Sequence, residues 1–484
     1  MLLGRLRVLS EEAIEQLHLG VLRVLRETGL KIRGKFLLDV LADSGCRVDH
    51  GRQRAWFDPG LVEKQIGAQN GRYKAVRSSL SYPFCAQLPK DGVAWPDGYS
   101  VDYGYGTPQI YDYAERRARP ATTEDQVSMI KLGNALDCVR AVNAPVICSD
   151  VDPRIETIES SRLLLMNTRK PGWVGTSSGA EVKYLADMAA LAVDHCDATL
   201  RTCPPVIVNA YCTTSPLKLD TRSCEVLEQA LAYKFPINIA PMPILGGTTP
   251  MTPAGSAIVA AAEILGCMTA ATLIDPEIYY YCTSISAEMD MKTSTIRYAT
   301  PAAVLTDAAL HQLFRDRYGI VCNVEAGYVE ADSPGTLAAV SKMYRQMAFA
   351  STVSCSLPLG LLDNARVFSP VQAMIDLDLA EAIYRYGQGI AVTPETMALD
   401  LINDIGFSTE KNYVESEHTL HHFRDIGWYP SVFSPTGSSD RAILDRADRR
   451  WRDLVAAQEP AERDSEFSRA VDKIVNAARR ELLA

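Results

Sequence analysis
Two groups of residues have the types and spacing to do chemistry. The first is aromatic: Tyr103 and Tyr105 in DYGYGTPQIYDY, Tyr211 at the end of an apolar run, Tyr281 inside YYYCTS, and Tyr328 just after another apolar run. Ring faces gathered around one opening attract a cation through the aromatic quadrupole, by about 2 kcal/mol or more once water is excluded. The same tyrosines in strands equally serve ordinary packing. The second group is a carboxylate pair, Glu325 and Glu330, flanking Ala326-Gly327-Tyr328. Glu325 interrupts the apolar run VCNVEAGYV, where an unpaired charge is costly to bury. Such acids can balance a bound cation, hold a metal or act as an acid–base pair. Glu330 also reads as an ordinary solvated loop residue.

A third cluster, His418, His421 and His422, places imidazoles at i, i+3 and i+4 of a helical stretch, a spacing that can hold a metal. Leu420 and Phe423 read as the inward face of a surface helix over Thr419 to Asp425, so no bound metal is expected. There is no G-x-S-x-G elbow, Walker sequence or dinucleotide fingerprint.

The elements that must position these groups follow from hydrophobic periodicity. An N-terminal helix is predicted from Ser10, with Glu11 and Glu12 in its first turn, to Gly29. Shorter helices follow at about 35–44 and 61–69, and the stretch 73–113 reads as loops and a hairpin. Beyond Thr122, apolar runs alternate with helical stretches, as in a parallel α/β sheet. Strands are predicted at Val142–Cys148, Trp173–Thr176, Val206–Tyr211, Ile237–Pro241, Ile278–Ser284, Val321–Ala326 and Thr352–Leu357. Seven such units without a phosphate turn favour a closed (β/α)8 TIM barrel. Its eighth strand would come from the 101–113 hairpin or from beyond Phe368. The division is 1–120 (helical cap and glycine-rich hairpin), 121–400 (barrel) and 401–484 (helical extension).

Composition narrows the partners. A net charge of -10 over 484 residues opposes sequence-independent nucleic-acid binding and docking on anionic membranes. The apolar stretch Ser256 to Ile274 is long enough to span a bilayer, but it is Ala-rich and reads better as a buried helix. The 12 cysteines contain no C-x-x-C pair and read as buried reduced thiols, which suits a cytoplasmic protein. The N-terminus shows no secretory h-region.

Several stretches, taken in order, resemble the trimethylamine methyltransferase superfamily, in its branch without pyrrolysine that includes glycine betaine:corrinoid methyltransferases. They are LSEEAIEQLHLGVLRVLRETGLKI, YGYGTPQIYDYAERRARPATTED, MNTRKPGWVGTS, TTSPLKLD, PMPILGGTTPMTPAGSAIVAAAEILG, MDMKTSTIRYATPA and ESEHTLHHFRDIGWYPSVF. The resemblance spans nearly the whole chain. It implies a TIM barrel that takes a methyl group from a small methylated amine. The acceptor it implies is Co(I) of cobalamin, on a separate corrinoid protein that docks over the mouth. This chain has no D-x-H-x-x-G corrinoid signature of its own.

In that family, pyrrolysine is ascribed the activation of trimethylamine. The matching region here reads EAGYVEADSP, with Glu330 and Ala331 near the expected position, so a quaternary ammonium is the expected substrate. Family members commonly carry small, polar residues where this chain has Glu325, Tyr328 and Glu330, and LGLLDNARVFSP replaces a Glu-Ser-Gly-rich segment. The substrate can therefore differ from glycine betaine. A betaine carboxylate would need a cationic partner: Lys292, Arg297 or Arg366, with Arg297 preferred, each also readable as a surface ion pair. The alternatives are a barrel that binds a methylated cation without transferring a methyl group or that acts on it differently, and a barrel enzyme of another class, metal-assisted through the histidine cluster; a homo-oligomer is compatible with the helical tail.

Overall fold
The computed structural model describes residues 6–79, 99–104, 106–139, 142–170, 172–176, 178–194, 206–208, 212–278, 280–352, 355–434, 436, 439–459 and 463–484. The chain opens with α1 (Glu11–Glu27), whose N-cap Ser10 accepts from the Ala13 amide, and with β1 (Leu30–Ile32) and α2 (Lys35–Asp43). β2 (Arg47–Asp49), β3 (Arg54–Trp56) and α3 (Pro59–Ser79) complete this cap. The third helix therefore continues to Ser79, beyond the 61–69 expected from the sequence.

The next elements are β4 (Tyr99–Tyr103) and the hairpin β5 (Gln109–Asp112) with β6 (Arg117–Pro120). Helices and strands then alternate: α4 (Thr123–Ala135), α5 (Glu156–Asn167), β7 (Gly172–Val174), α6 (Gly179–Asp194), β8 (Val206–Val208), β9 (Lys218–Leu219) and α7 (Thr221–Ala232). They continue with β10 (Ile237–Ile239), β11 (Ile244–Leu245), α8 (Pro253–Ile274), β12 (Tyr280–Ser284), β13 (Ala287–Met289), β14 (Ile296–Arg297) and α9 (Pro301–Leu313). A π-helical turn, Phe314–Tyr318, ends α9 before β15 (Cys322–Val324), α10 (Thr336–Thr352) and β16 (Cys355–Leu359). The pair β17 (Leu361–Leu362) and β18 (Val367–Phe368) precedes α11 (Pro370–Gln388). The C-terminal part is α12 (Pro394–Met397), α13 (Leu399–Ile405), α14 (Glu417–Ile426), α15 (Asp440–Ala456) and α16 (Ser465–Leu482).

The fold is mixed α/β, and the pairs β7–β8, β10–β12, β12–β15 and β16–β4 are all parallel. The last of these joins the final strand of the alternating series to β4, which precedes it. The predicted strand at 142–148 carries an isolated parallel bridge, Thr107 to Val146. The N-terminal cap is tied to the body by β9, which pairs parallel to β1.

Packing explains the apolar α8. It lies between α1 on one side and strands β10 and β12 on the other, so Ala260, Ala261, Ile264, Leu265 and Met268 are enclosed from both sides. It is the single helix among the described residues long and apolar enough to cross a membrane, and it is mostly buried. Its one charge, Glu263, is fully buried. Glu263 accepts from the Thr213 hydroxyl, the Ser215 hydroxyl at 2.9 Å and the Leu217 amide at 2.7 Å, which fixes the loop leading into β9.

α10 is the hub of the second half. Lys342 and Arg345, one turn apart, are both fully buried and pair to opposite neighbours. The Lys342 ammonium donates to Asp376 of α11 at 2.6 Å, and Asp376 also accepts from the Gly360 amide at 2.8 Å. Gly360 has φ +77°, and a Cβ there would sit 2.8 Å from the Phe368 ring, so the turn after β16 requires glycine.

Candidate active site at the carboxyl ends of the strands
Strand alternation decides which side chains face inward. On β12 the Tyr280 hydroxyl donates to the Ile264 carbonyl of α8 at 2.7 Å, so Tyr280 faces the helices. Tyr281 and Thr283 therefore face the opposite side, where the Thr283 hydroxyl donates to Asn238 Oδ1 of β10 at 3.1 Å. Register extends this face across β15, since Thr283 pairs with Asn323. Glu325, two residues on, continues the same face as the chain leaves the strand.

Above these ends lies a small second sheet. β11 and β13 run parallel, and β14 returns antiparallel with Glu288 opposite Arg297. Its inner surface is a cluster of Ile285, Ala287 and Tyr298 with Met242, Ile244, Ile296 and Tyr328 packed against it. The Tyr298 and Tyr328 rings meet with centroids 5.4 Å apart, tilted by 49°. Burial pushes the Tyr298 phenol up to about 12, so it stays neutral. Gly327 lets the chain leaving β15 pass close to β16: a Cβ there would lie 2.3 Å from the Pro358 carbonyl oxygen.

Glu330 and Arg297 gather at the same place. Glu330 Oε1 is 3.7 Å from Arg297 Nε, and Glu330 Oε2 accepts weakly from the Tyr298 amide at 3.4 Å. Arg297, about half exposed, also stands 3.9 Å from Asp290. Beneath them, the buried Arg345 guanidinium donates to the Tyr298 carbonyl at 2.5 Å and to the Glu325 carbonyl at 2.7 Å. Arg345 faces Asp307 of α9 at 3.8 Å, and Asp307 accepts from the Ser284 hydroxyl at 2.6 Å and the Ser286 amide at 2.9 Å. Burial raises the Asp307 pKa, with Arg345 and the serine donors opposing it. One buried ion pair thus ties the ends of β12, β14 and β15 together.

The predicted residues fare unequally. Tyr328, Glu330 and Arg297 meet around Tyr298 at the strand ends, Glu325 directly follows β15, and Tyr281 lies near the start of β12. Tyr103 does not join them. Its ring packs on Phe368 at 5.5 Å and against Gly133 of α4, whose Cβ would lie 3.3 Å from Tyr103 Cζ. Val101 and Tyr103, two residues apart, share the face of β4 that meets α4. Tyr105 and Tyr211 lie outside the described residues. Sequence reasoning missed Tyr298, Asp307 and Arg345. Asp307 had a signal: it is a lone acid inside the apolar stretch PAAVLTDAALHQL. For Arg345, in a helix of mixed composition, there was none.

The described residues thus form a mixed α/β body whose strand ends carry a small second sheet, an aromatic and aliphatic cluster and the Glu330–Arg297 pair. The chain belongs to the trimethylamine methyltransferase (MTTB) family, whose sequence model matches residues 2–482. Trimethylamine methyltransferase MttB of Desulfitobacterium hafniense is 28% identical over 425 residues, covering 86% of this chain and 81% of that protein. A glycine betaine methyltransferase of the same species is 23% identical over 483 residues, covering 96% of each. Among solved structures, the monomethylamine methyltransferase MtmB of Methanosarcina barkeri matches 94% of this chain and 90% of that chain, with 12% identity and a TM-score of 0.48.

Proposed function
We propose that this methyltransferase-family chain removes a methyl group from a small quaternary ammonium compound of betaine type. The observation that carries the reading is the Tyr298–Tyr328 ring pair with the Glu330 carboxylate on the Tyr298 amide. Aromatic faces and carboxylates at one opening suit a permanent cation. A quaternary nitrogen already bears the leaving-group charge, so transfer needs no general acid. The bonding pair stays on nitrogen, which departs as a neutral tertiary amine. The protein's task is to hold the cation, exclude water and align one methyl group outward. Tyr281 would floor the site, Tyr298 and Tyr328 would wall it, and Glu325 and Glu330 would balance the charge. Arg297, only loosely held by Glu330 and Asp290, would reach a substrate carboxylate.

Co(I) of a corrinoid supplies the nucleophile in this reading, and a partner protein would carry it. The rim supports such docking: Met251, Met289 and Met291 surround Gly246, whose φ of +78° turns the chain there, and Met291 is 71% exposed. For the architecture, we read the parallel series as a closed (β/α)8 barrel. β4 is its first strand, so the barrel begins near residue 99 rather than 121, with the cap before it and the helices after α11 as an extension. Free thiols at Cys46, Cys148, Cys224, Cys267, Cys282 and Cys322 support a reducing, cytoplasmic setting. Exposed Phe407 and Tyr429 support a homo-oligomer.

The test is anaerobic mixing with Co(I) cobalamin, free and on a corrinoid protein, and a panel of glycine betaine, proline betaine, carnitine, choline and trimethylamine. Loss of the Co(I) absorbance with a quaternary amine but not with trimethylamine is the expected result. Binding of a quaternary amine with no transfer under either condition would replace the enzyme reading with a binding-only barrel.

A further inference from the structure
We infer that Glu395, His421 and His422 form a zinc-class metal site that staples α12 to α14. The two helices bring three ligand atoms together from separate directions. His422 Nε2 is 3.7 Å and His421 Nε2 3.9 Å from the same Glu395 oxygen, and the three ligand atoms all lie within 4.8 Å of one another. These gaps are too long for hydrogen bonds. They are close to the separation that an ion imposes: bonds of about 2.0–2.1 Å in tetrahedral geometry set ligand atoms roughly 3.3 Å apart. Small side-chain rotations close the difference.

The positions of the ligands are held from outside the cluster. Thr393 and Thr396 form a reciprocal cap around Glu395, with the Thr396 amide donating to the Thr393 hydroxyl at 3.1 Å. Ser416 caps α14 by accepting from the Thr419 amide at 3.1 Å. His418 adds a second observation. Its ring lies 4.4 Å from that of His422, and its Nε2 is enclosed with no hydrogen-bond partner among the described residues. His418 lies outside the three ligand atoms that come together and packs on the His422 ring from the side, so a fourth position falls to water.

The staple has a physical reason. From residue 390 to 429 the one buried hydrophobic side chain is Ile405. Leu420 is 71% and Phe423 38% exposed, so the inward apolar face expected for α14 is absent, and with it the packing reading of the histidines. A segment with so little core is the kind that metal binding stabilises. Imidazole and carboxylate ligands suit zinc best among abundant divalent metals of this geometry.

The test uses untagged, full-length protein, stripped with chelator and dialysed against buffered zinc, with metal counted by mass spectrometry. Cobalt(II) serves as an optical probe. One equivalent of zinc per chain at sub-micromolar free metal is expected, together with visible bands from low-coordinate cobalt. His422→Asn should lower affinity by at least the roughly 10–100-fold that even an outer-shell loss produces. Zinc should slow tryptic cleavage after Lys411 and Arg424 in the native chain. Absence of uptake at micromolar free zinc, or uptake unaltered in both His422→Asn and Glu395→Gln, would overturn the site. Methyl transfer is read separately in the same samples, so failure here leaves the substrate reading untouched.

Discussion
Asp307 and Arg345 face each other at 3.8 Å with neither side chain in contact with solvent, and between them they hold the backbone of three strand-end loops. Asp307 anchors the amide of Ser286. Arg345 takes the carbonyls of Tyr298 and Glu325. The groups that would meet substrate stand on these loops, so the pair acts through geometry rather than contact.

Removing one partner strands the other as a buried charge, a loss of about 3–5 kcal/mol. Asp307→Asn should therefore lower the urea midpoint strongly and abolish substrate binding. The double variant Asp307→Leu with Arg345→Met should regain much of the stability without regaining binding. Near-native stability of the single variant would show that the pair does not hold the loops.

The ring pair should contribute to cation affinity. Tyr328→Ala is expected to weaken a quaternary ammonium ligand by about 2 kcal/mol, roughly thirty-fold in Kd, measured by calorimetry. Tyr298→Phe keeps the ring face and should leave Kd nearly unchanged.

Arg297 should discriminate between substrates. At a half-exposed site, losing one ion pair is worth up to about 1 kcal/mol, or roughly five-fold. Arg297→Ala should weaken glycine betaine by that factor and leave choline, which has no carboxylate, unaffected. Equal weakening of both ligands would assign Arg297 to holding Glu330 instead.

His311 should make stability depend on pH. It is enclosed on α9, its Nδ1 bonded to the Cys322 carbonyl at 2.6 Å, and burial lowers its pKa from 6.5 to about 4. The unfolded chain thus binds a proton that the folded chain refuses between those values. The contribution is fully present above pH 6.5 and is lost as pH falls toward 4, by about 3 kcal/mol in all. Denaturation of wild type and His311→Asn across this range should show the wild type losing more, by that amount.

The alternation of strands and helices was legible because each unit repeats one pattern, an apolar run followed by a helix with a capping residue or Pro at its start. Ser369 before Pro370 and Thr300 before Pro301 are such starts, and both cap as their types predict. Glu325 and Tyr328 were legible as site candidates because a charge and an aromatic ring end an apolar strand. Tyr103 was misplaced because an aromatic residue in a strand carries no mark of which face it occupies until the register is set.

What the sequence by itself determined is local: the caps, the periodicity, the buried character of α8 and the family pattern along the chain. Tertiary structure alone decided that Arg345 reaches Asp307 across 38 residues, that Tyr298 meets Tyr328, and that Glu395 stands opposite His421 and His422. The physical reason is the same in each case. Propensity and periodicity act over a few residues, whereas a buried ion pair or a ligand cluster joins side chains whose nearness exists only once the helices have packed.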